Sequence, residues 1–381
     1  DAQLGTSQQP PLGRIGLGRL APLLRPRAAL GLRPALAPAV VILPAGFVLG
    51  PQVLNVISVE TLGYLDSVVA VALAVLGVFV GIAFGPHLRT ARVLIVASSV
   101  EALVTIAMVA GAAAVLLARV PLVGASAVLI ALCLGIASAA SASSPADGAG
   151  SRAASLIADL DDVVPIVLSG VVLLLTPEGG SAASMRSVAA APAIGLAIGA
   201  AGWLLFERAE SPAERGALLL GSLSLLGGAP AYLNASPLVA GFTAGLFWTL
   251  APGRADRIVA DDLGKMQHPL VVLLLVTAGA MCVPSLAVFW LLGPYVLFRI
   301  AGKLAGGWIA SRVSGLHRTL PALDLGVHLI PPGVLGVAFA LGFTHILPAS
   351  YGVMVVTTVA LGSILSELAA FYVIPAGTET R

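Results

Sequence analysis

The sequence predicts an all-α polytopic membrane protein of about twelve transmembrane helices, arranged as inverted repeats with two broken helices. Three observations carry that prediction. Only 10% of the 381 residues are charged against 58% hydrophobic, and the mean hydropathy is +1.03, whereas a soluble domain carries about 25% charged residues. Apolar runs close to the roughly 20 residues that cross a bilayer follow one another along most of the chain. The basic residues then alternate between the two sides in step with those runs.

The first 33 residues hold Arg14, Arg19, Arg25, Arg27 and Arg33 and no continuous apolar stretch, so no secretory leader is expected there. The segment reads either as a basic amphipathic stretch on the membrane surface or as a cytoplasmic tail. The apolar runs cover 34–56, 61–85, 93–118, 121–146, 153–176, 188–206, 216–233, 236–251, 268–283, 285–311, 323–345 and 350–376. With the N-terminus inside, only Arg119 and Arg186 fall in outside loops. Arg299 and Lys303 fall within the tenth run, and every other Lys and Arg lies inside. A miscount of one span would scramble this bias. Both ends are therefore expected in the cytoplasm. The net charge of +2 adds nothing. Cys133 and Cys282 sit in apolar runs, and neither a disulfide nor a metal site is expected of them.

Two runs are not plain helices. The fourth ends in SAASASSPADGAG, too small and polar to face lipid. The eleventh contains Ile330-Pro331-Pro332-Gly333 near its middle, where the i→i−4 hydrogen bonds cannot continue. Irregular backbone at membrane depth is tolerated only inside protein or beside water. Paired interruptions point to a binding site at the interface of two repeats, here runs three to five and ten to twelve.

Few ionisable residues lie within the runs: Glu101, Asp159, Asp161, Asp162, Arg299, Lys303 and Glu367. Asp66, Asp324 and His328 lie near run ends and take no role. A charge at the bilayer centre costs roughly 2.5–3.5 kcal/mol even on the lenient scale, so it is kept where it pairs or meets water. A rise of about 1.5 Å per residue places Asp161 and Asp162 roughly 3–5 Å, and Lys303 about 7 Å, to the cytoplasmic side of centre. Glu101 and Glu367 come within a few ångströms of that level. Two adjacent carboxylates beside a lysine can hold protons or a hard cation such as Na⁺ or Li⁺, but not both. The bland alternative is a salt-bridge cluster that only holds the bundle together. Glu101 or Glu367 could also serve to neutralise Arg299, one turn from Lys303.

At these residues the sequence resembles the sodium/proton antiporter members of the monovalent cation/proton antiporter superfamily. PAGFVLGPQVLNVI is similar to the family's "aGillGPs-lg-i" stretch, and SPLVAGFTAGLFW to "SpalgaFlaGl". VLGVFVGIAFGPHLR matches "l-lFl-Gle-dl" without its usual acidic residues. LDDVVPIVL looks like the ion-site helix "iDDvlglivl", with Pro165 where glycine is usual. IAGKLAGGW matches "GK-lG", and LIPPGVLGVAFAL resembles the broken helix "lpRGe-al-la" without its Arg-Gly-Glu triplet.

The resemblance spans about residues 34–376 and implies a sodium/proton antiporter fold with two broken crossing helices. It implies a moving core at about 93–176 and 285–376 and a dimer scaffold at about 34–85 and 216–283, flanked by cytoplasmic segments 1–33 and 377–381. It implies Asp161 paired with Lys303, and Asp162 as the main carrier of the transported Na⁺ and of protons. Ser141, Ser143 and Ser144, with Pro331, Pro332 and Gly333, would make the broken-helix ligand set. It further implies a homodimer, elevator-like alternating access in a bacterial inner membrane, no cofactor, and no nucleic-acid partner. The Asp pair with the lysine resembles the electrogenic subgroup, which exchanges two protons for one sodium ion. Other readings are a same-fold transporter of K⁺, or of an organic anion with sodium, and a non-transporting membrane subunit. An enzyme is not expected. Neighbouring acids point about 100° apart on one helix and cannot form an aspartyl-protease pair, and His328 is the one histidine more than a residue inside a run.

Overall fold

A computed structural model describes residues 36–88, 92–119, 126–142, 149–175, 180–253, 255–315, 317 and 322–373. The basic segment 1–33 and the tail 377–381 lie outside the described residues.

The described residues are helical almost throughout. Helix α1 (Leu36–Leu49) ends where Gly50 and Pro51 stop the pattern, and Asn55 turns the chain with a φ of 52°. Helix α2 (Val59–Phe84) starts at Ser58, whose hydroxyl accepts from the amide of Thr61. That caps one of the four orphan donors at a helix start. Ser211, Ser236 and Ser285 do the same for α8 (Pro212–Tyr232), α9 (Pro237–Leu250) and α12 (Leu286–Val313). Between these come α3 (Arg92–Leu117), α4 (Ser126–Ala139), α5 (Ala149–Leu160), α6 (Val163–Val171), α7 (Gly180–Arg208), α10 (Ala255–Gly264) and α11 (Gln267–Met281). Helices α13 (Ala322–His328), α14 (Val334–Phe343) and α15 (Ala349–Val373) complete the chain.

Every apolar run in the sequence holds a helix or a helix pair, and the protein is an integral membrane protein. Among the described residues five helices are long and apolar enough to cross a bilayer by themselves, and a sixth if α10 and α11, bent by 58°, count as one. The other runs are shorter or broken. The fourth was expected to reach residue 146, but its helix stops at Ala139. The fifth is two helices that meet at the acid pair. The ninth is preceded by α10, which the run reading passed over. Its buried Ala255, Val259 and Leu263 recur every four residues, the stripe of a helix lying on the bundle.

Helix α2 packs on α9 and α8, α7 on α9, and α1 on α11. Small residues set the α2–α9 contact. A Cβ on Gly77 or Gly241 would strike the backbone of the facing helix. The second group is built on α3 and α12, which lie side by side, with α4, α13, α14 and α15 packed around them.

Candidate functional site

The two interrupted runs meet. After α4 ends, Ser141 forms an isolated antiparallel bridge with Pro332. The amide of Ala142 donates to Pro331 O at 2.9 Å, and the amide of Gly333 donates to Ala140 O at 3.2 Å. The first of these bonds occupies one of the two lone pairs of Pro331 O. The chains approach so closely that a Cβ on Gly333 would stand 2.8 Å from Ser141 O. Ser143 and Ser144 lie outside the described residues.

A helix that stops leaves its last carbonyls without intrahelical donors, and its C-terminus carries a partial negative charge. Two cations from α12 answer both needs. Arg299 donates through Nη1 to Ile330 O at 2.6 Å and through Nη2 to Ala140 O at 3.1 Å. Lys303, one turn on, donates to Ala139 O. Arg299 is thus the clamp of the crossing. It forms no ion pair with Glu101 or Glu367 among the described residues, contrary to the sequence expectation. The carbonyls exposed by the two breaks reach its guanidinium first.

Glu101 instead belongs to Lys303. The Lys303 ammonium lies 3.1 Å from Glu101 Oε1 and 3.2 Å from Asp161 Oδ2, and all three side chains are fully buried. Thr105, one turn along α3, donates to Glu101 Oε1 at 3.0 Å and fixes the carboxylate. The contact depends on two glycines. A Cβ on Gly302 would stand 2.9 Å from Thr105 Cα, and one on Gly306 would stand 2.9 Å from Glu101 O. Glu367 is brought close to none of these groups. It makes no ion pair among the described residues, so its expected pairing does not form.

The acid pair stands at the joint between α5 and α6. Asp161 Oδ2 accepts from Ser141 Oγ at 2.7 Å as well as from Lys303. Asp161 Oδ1 and Asp162 Oδ1 are buried and have no hydrogen-bond partner among the described residues. A buried carboxylate oxygen left unpaired is costly, and two together mark a place for a proton or a hard cation. Among the described residues no cluster of His, Cys, Asp and Glu suits a resident metal.

A cavity of about 580 Å³ opens between α4, α6 and α14 on one side and α2 and α9 on the other. Ser126, Ser169, Asn234, Ser236 and His345 line it, and neither aspartate does. Ser169 lies seven residues beyond Asp162 on α6, about 10 Å along the helix.

No protein-family model and no curated protein matches the sequence. Among solved structures the chain is similar to the sodium proton antiporter MjNhaP1 from Methanocaldococcus jannaschii, with a TM-score of 0.63 at 16% identity. The match covers 95% of this chain and 99% of that one. The fold is that of a sodium/proton antiporter.

Proposed function

We propose that this chain is a secondary active antiporter that exchanges a monovalent cation, Na⁺ or Li⁺, for protons at Asp161 and Asp162. The observation that carries the reading is the pair of buried oxygens, Asp161 Oδ1 and Asp162 Oδ1, without a partner among the described residues at the crossing of two broken segments. A mere salt-bridge cluster would have closed both with donors. Asp161 already shares its other oxygen between Ser141 and Lys303, which leaves Asp162 as the principal carrier. A proton on this pair and a cation between its oxygens exclude each other. Whichever is bound removes the cost of moving bare carboxylates through the membrane.

Access would alternate between the large cavity, serving as the outer entrance, and the cytoplasmic side. The moving unit would be the helices around α3 and α12, in a homodimer with both termini cytoplasmic in a bacterial plasma membrane. The test is exchange in proteoliposomes, read with an entrapped pH dye. Na⁺ or Li⁺ added against a pH gradient should release protons, and Asp162→Asn should abolish the signal. Undiminished exchange in that variant would remove Asp162 from the site.

A further inference from the structure

The two helix groups meet across a loose seam where α14 passes α2. Within the first group, Gly77 and Gly241 leave no room for a Cβ, whereas a Cβ on Gly342 of α14 would stand at an ordinary 3.8 Å from Leu73 of α2. Residues of α2 and α14 line the large cavity, and they also line a smaller one of about 190 Å³ bounded by α11. Helices packed this loosely can slide past one another.

A charged pair bridges the seam. His345, just past α14, places Nε2 3.2 Å from Oδ1 of Asp66 on α2. His345 lines the large cavity and Asp66 the small one, and no other residue lining either cavity carries a charge. The two side chains are 47% and 54% exposed, so protons in the surrounding water reach them directly. Glu60, a turn and a half before Asp66, accepts from Tyr64 at 3.2 Å. Tyr351 follows on α15, Tyr232 ends α8, and Arg119 and Arg186 stand just past α3 and on α7. Helices α4, α6, α9 and α14 carry no charged residue, and α11 carries only His268, at its far end.

Resting on the antiport reading above, with its moving unit around α3 and α12, we propose that Asp66 and His345 form a latch across the outer seam. It holds the moving unit in the position the structure shows and yields as the outside turns alkaline. An ion pair needs its atoms within about 4 Å, so a slide of α14 along α2 by one helical turn, about 5.4 Å, parts it. An imidazole is charged only while it holds a second proton, and histidine is the side chain whose ordinary charge change falls between about pH 5 and 8. With His345 protonated the latch is an ion pair. As pH rises that charge is lost, and only a weaker neutral hydrogen bond remains. A half-exposed pair shifts an equilibrium by at most about fivefold. The latch therefore slows the slide at acid outer pH, apart from any competition between protons and Na⁺ at Asp161 and Asp162.

The experiment is the exchange of labelled for unlabelled Na⁺ by the full chain in right-side-out membrane vesicles. Saturating Na⁺ on both sides and a buffered interior mean that no proton need cross, and competition at the acid pair is overwhelmed. As the outer pH falls from about 8.5 to about 5.5, the maximal rate of the wild-type protein should drop about twofold to fivefold. His345→Gln and Asp66→Asn should each keep the fast rate over the whole range. His345→Lys, which holds a charge opposite Asp66 at every pH in that range, should keep the slow one. A wild-type rate indifferent to outer pH, a dependence that survives in either neutral variant, or a fast His345→Lys overturns the latch while leaving antiport intact. Labelled Na⁺ that moves no faster than in vesicles without the protein overturns the antiport reading and the latch with it.

Discussion

Pro165 stands four residues beyond Asp161, so the helix that carries the acid pair has no amide hydrogen to offer the Asp161 carbonyl. Helix α5 ends at Leu160 and α6 starts at Val163, with Asp161 and Asp162 in the joint. The regular bonds resume on either side, from Asp161 N to Ile157 O at 2.8 Å and from Ile166 N to Asp162 O at 3.1 Å. A proline inside a helix both removes this bond and crowds the carbonyl four residues back. The break therefore follows from one residue, and it falls on the residues that carry the proposed chemistry.

Pro165→Ala should mend the joint. The restored bond and better helix propensity are worth up to about 3 kcal/mol, so thermal stability in detergent should rise. Restoring the missing bond repositions the Asp161 backbone and with it the two carboxylates relative to Lys303 and Ser141, and the apparent affinity for Na⁺ should fall roughly tenfold, or about 1.4 kcal/mol. A variant that is more stable and binds Na⁺ unchanged would show that the joint has no part in the site.

The α3–α12 contact makes a second prediction. Gly302 and Gly306 bracket Lys303 and face Thr105 and Glu101. Gly302→Val forces side-chain atoms into space the Thr105 backbone occupies. Overpacking of this kind costs about 1–3 kcal/mol, and it separates Lys303 from Glu101. Exchange should fall at least tenfold together with stability. Gly293, on the same helix with open space around it, should accept alanine without either loss.

These cases show what the sequence could disclose. Asp161, Asp162 and Lys303 were legible because depth along a helix is simple arithmetic, and Pro331-Pro332 can only be a break. The capping serines and the apolar runs were equally local signals. The partner of Glu101 was not legible, because Arg299 and Lys303 lie one turn apart and only the rotation of α12 against α3 decides between them. Gly302 and Gly306 set that rotation, so part of the signal was present. The demand of Ala139, Ala140 and Ile330 for donors could also have been foreseen, since each lies at or beside the end of a broken helix. The bend before α11 was missed because α10 is amphipathic rather than apolar.

Arg299 supports a third prediction, independent of transport. Its fork reaches two carbonyls from the two crossing segments, Ile330 O and Ala140 O. Lysine carries the same charge but presents it at one point. Arg299→Lys should leave one buried carbonyl without its donor, at a cost of about 1–3 kcal/mol. The melting temperature of the purified protein in detergent should drop by several degrees. Glu367→Gln, at a residue with no ion pair among the described residues, should leave it within about 1 °C. Equal melting temperatures for wild type and Arg299→Lys would mean that the crossing does not need the clamp.

The last prediction concerns pH. If protons and the cation compete for the oxygens of Asp161 and Asp162, raising the pH removes the competitor, so the apparent KM for Na⁺ must fall as pH rises. The steepness counts the protons displaced. One proton per cation gives about a tenfold fall per pH unit, equivalent to about 1.4 kcal/mol, and two give about a hundredfold. The fall should level off once the pair is ionised without Na⁺, and the maximal rate should then drop, because the returning step lacks its proton. Rates measured across pH at several Na⁺ concentrations, with the membrane potential clamped at zero, give the slope directly. A limiting slope near one decade per unit fits a single exchangeable proton at the acid pair. A slope near two would mean that two protons leave for each cation that enters.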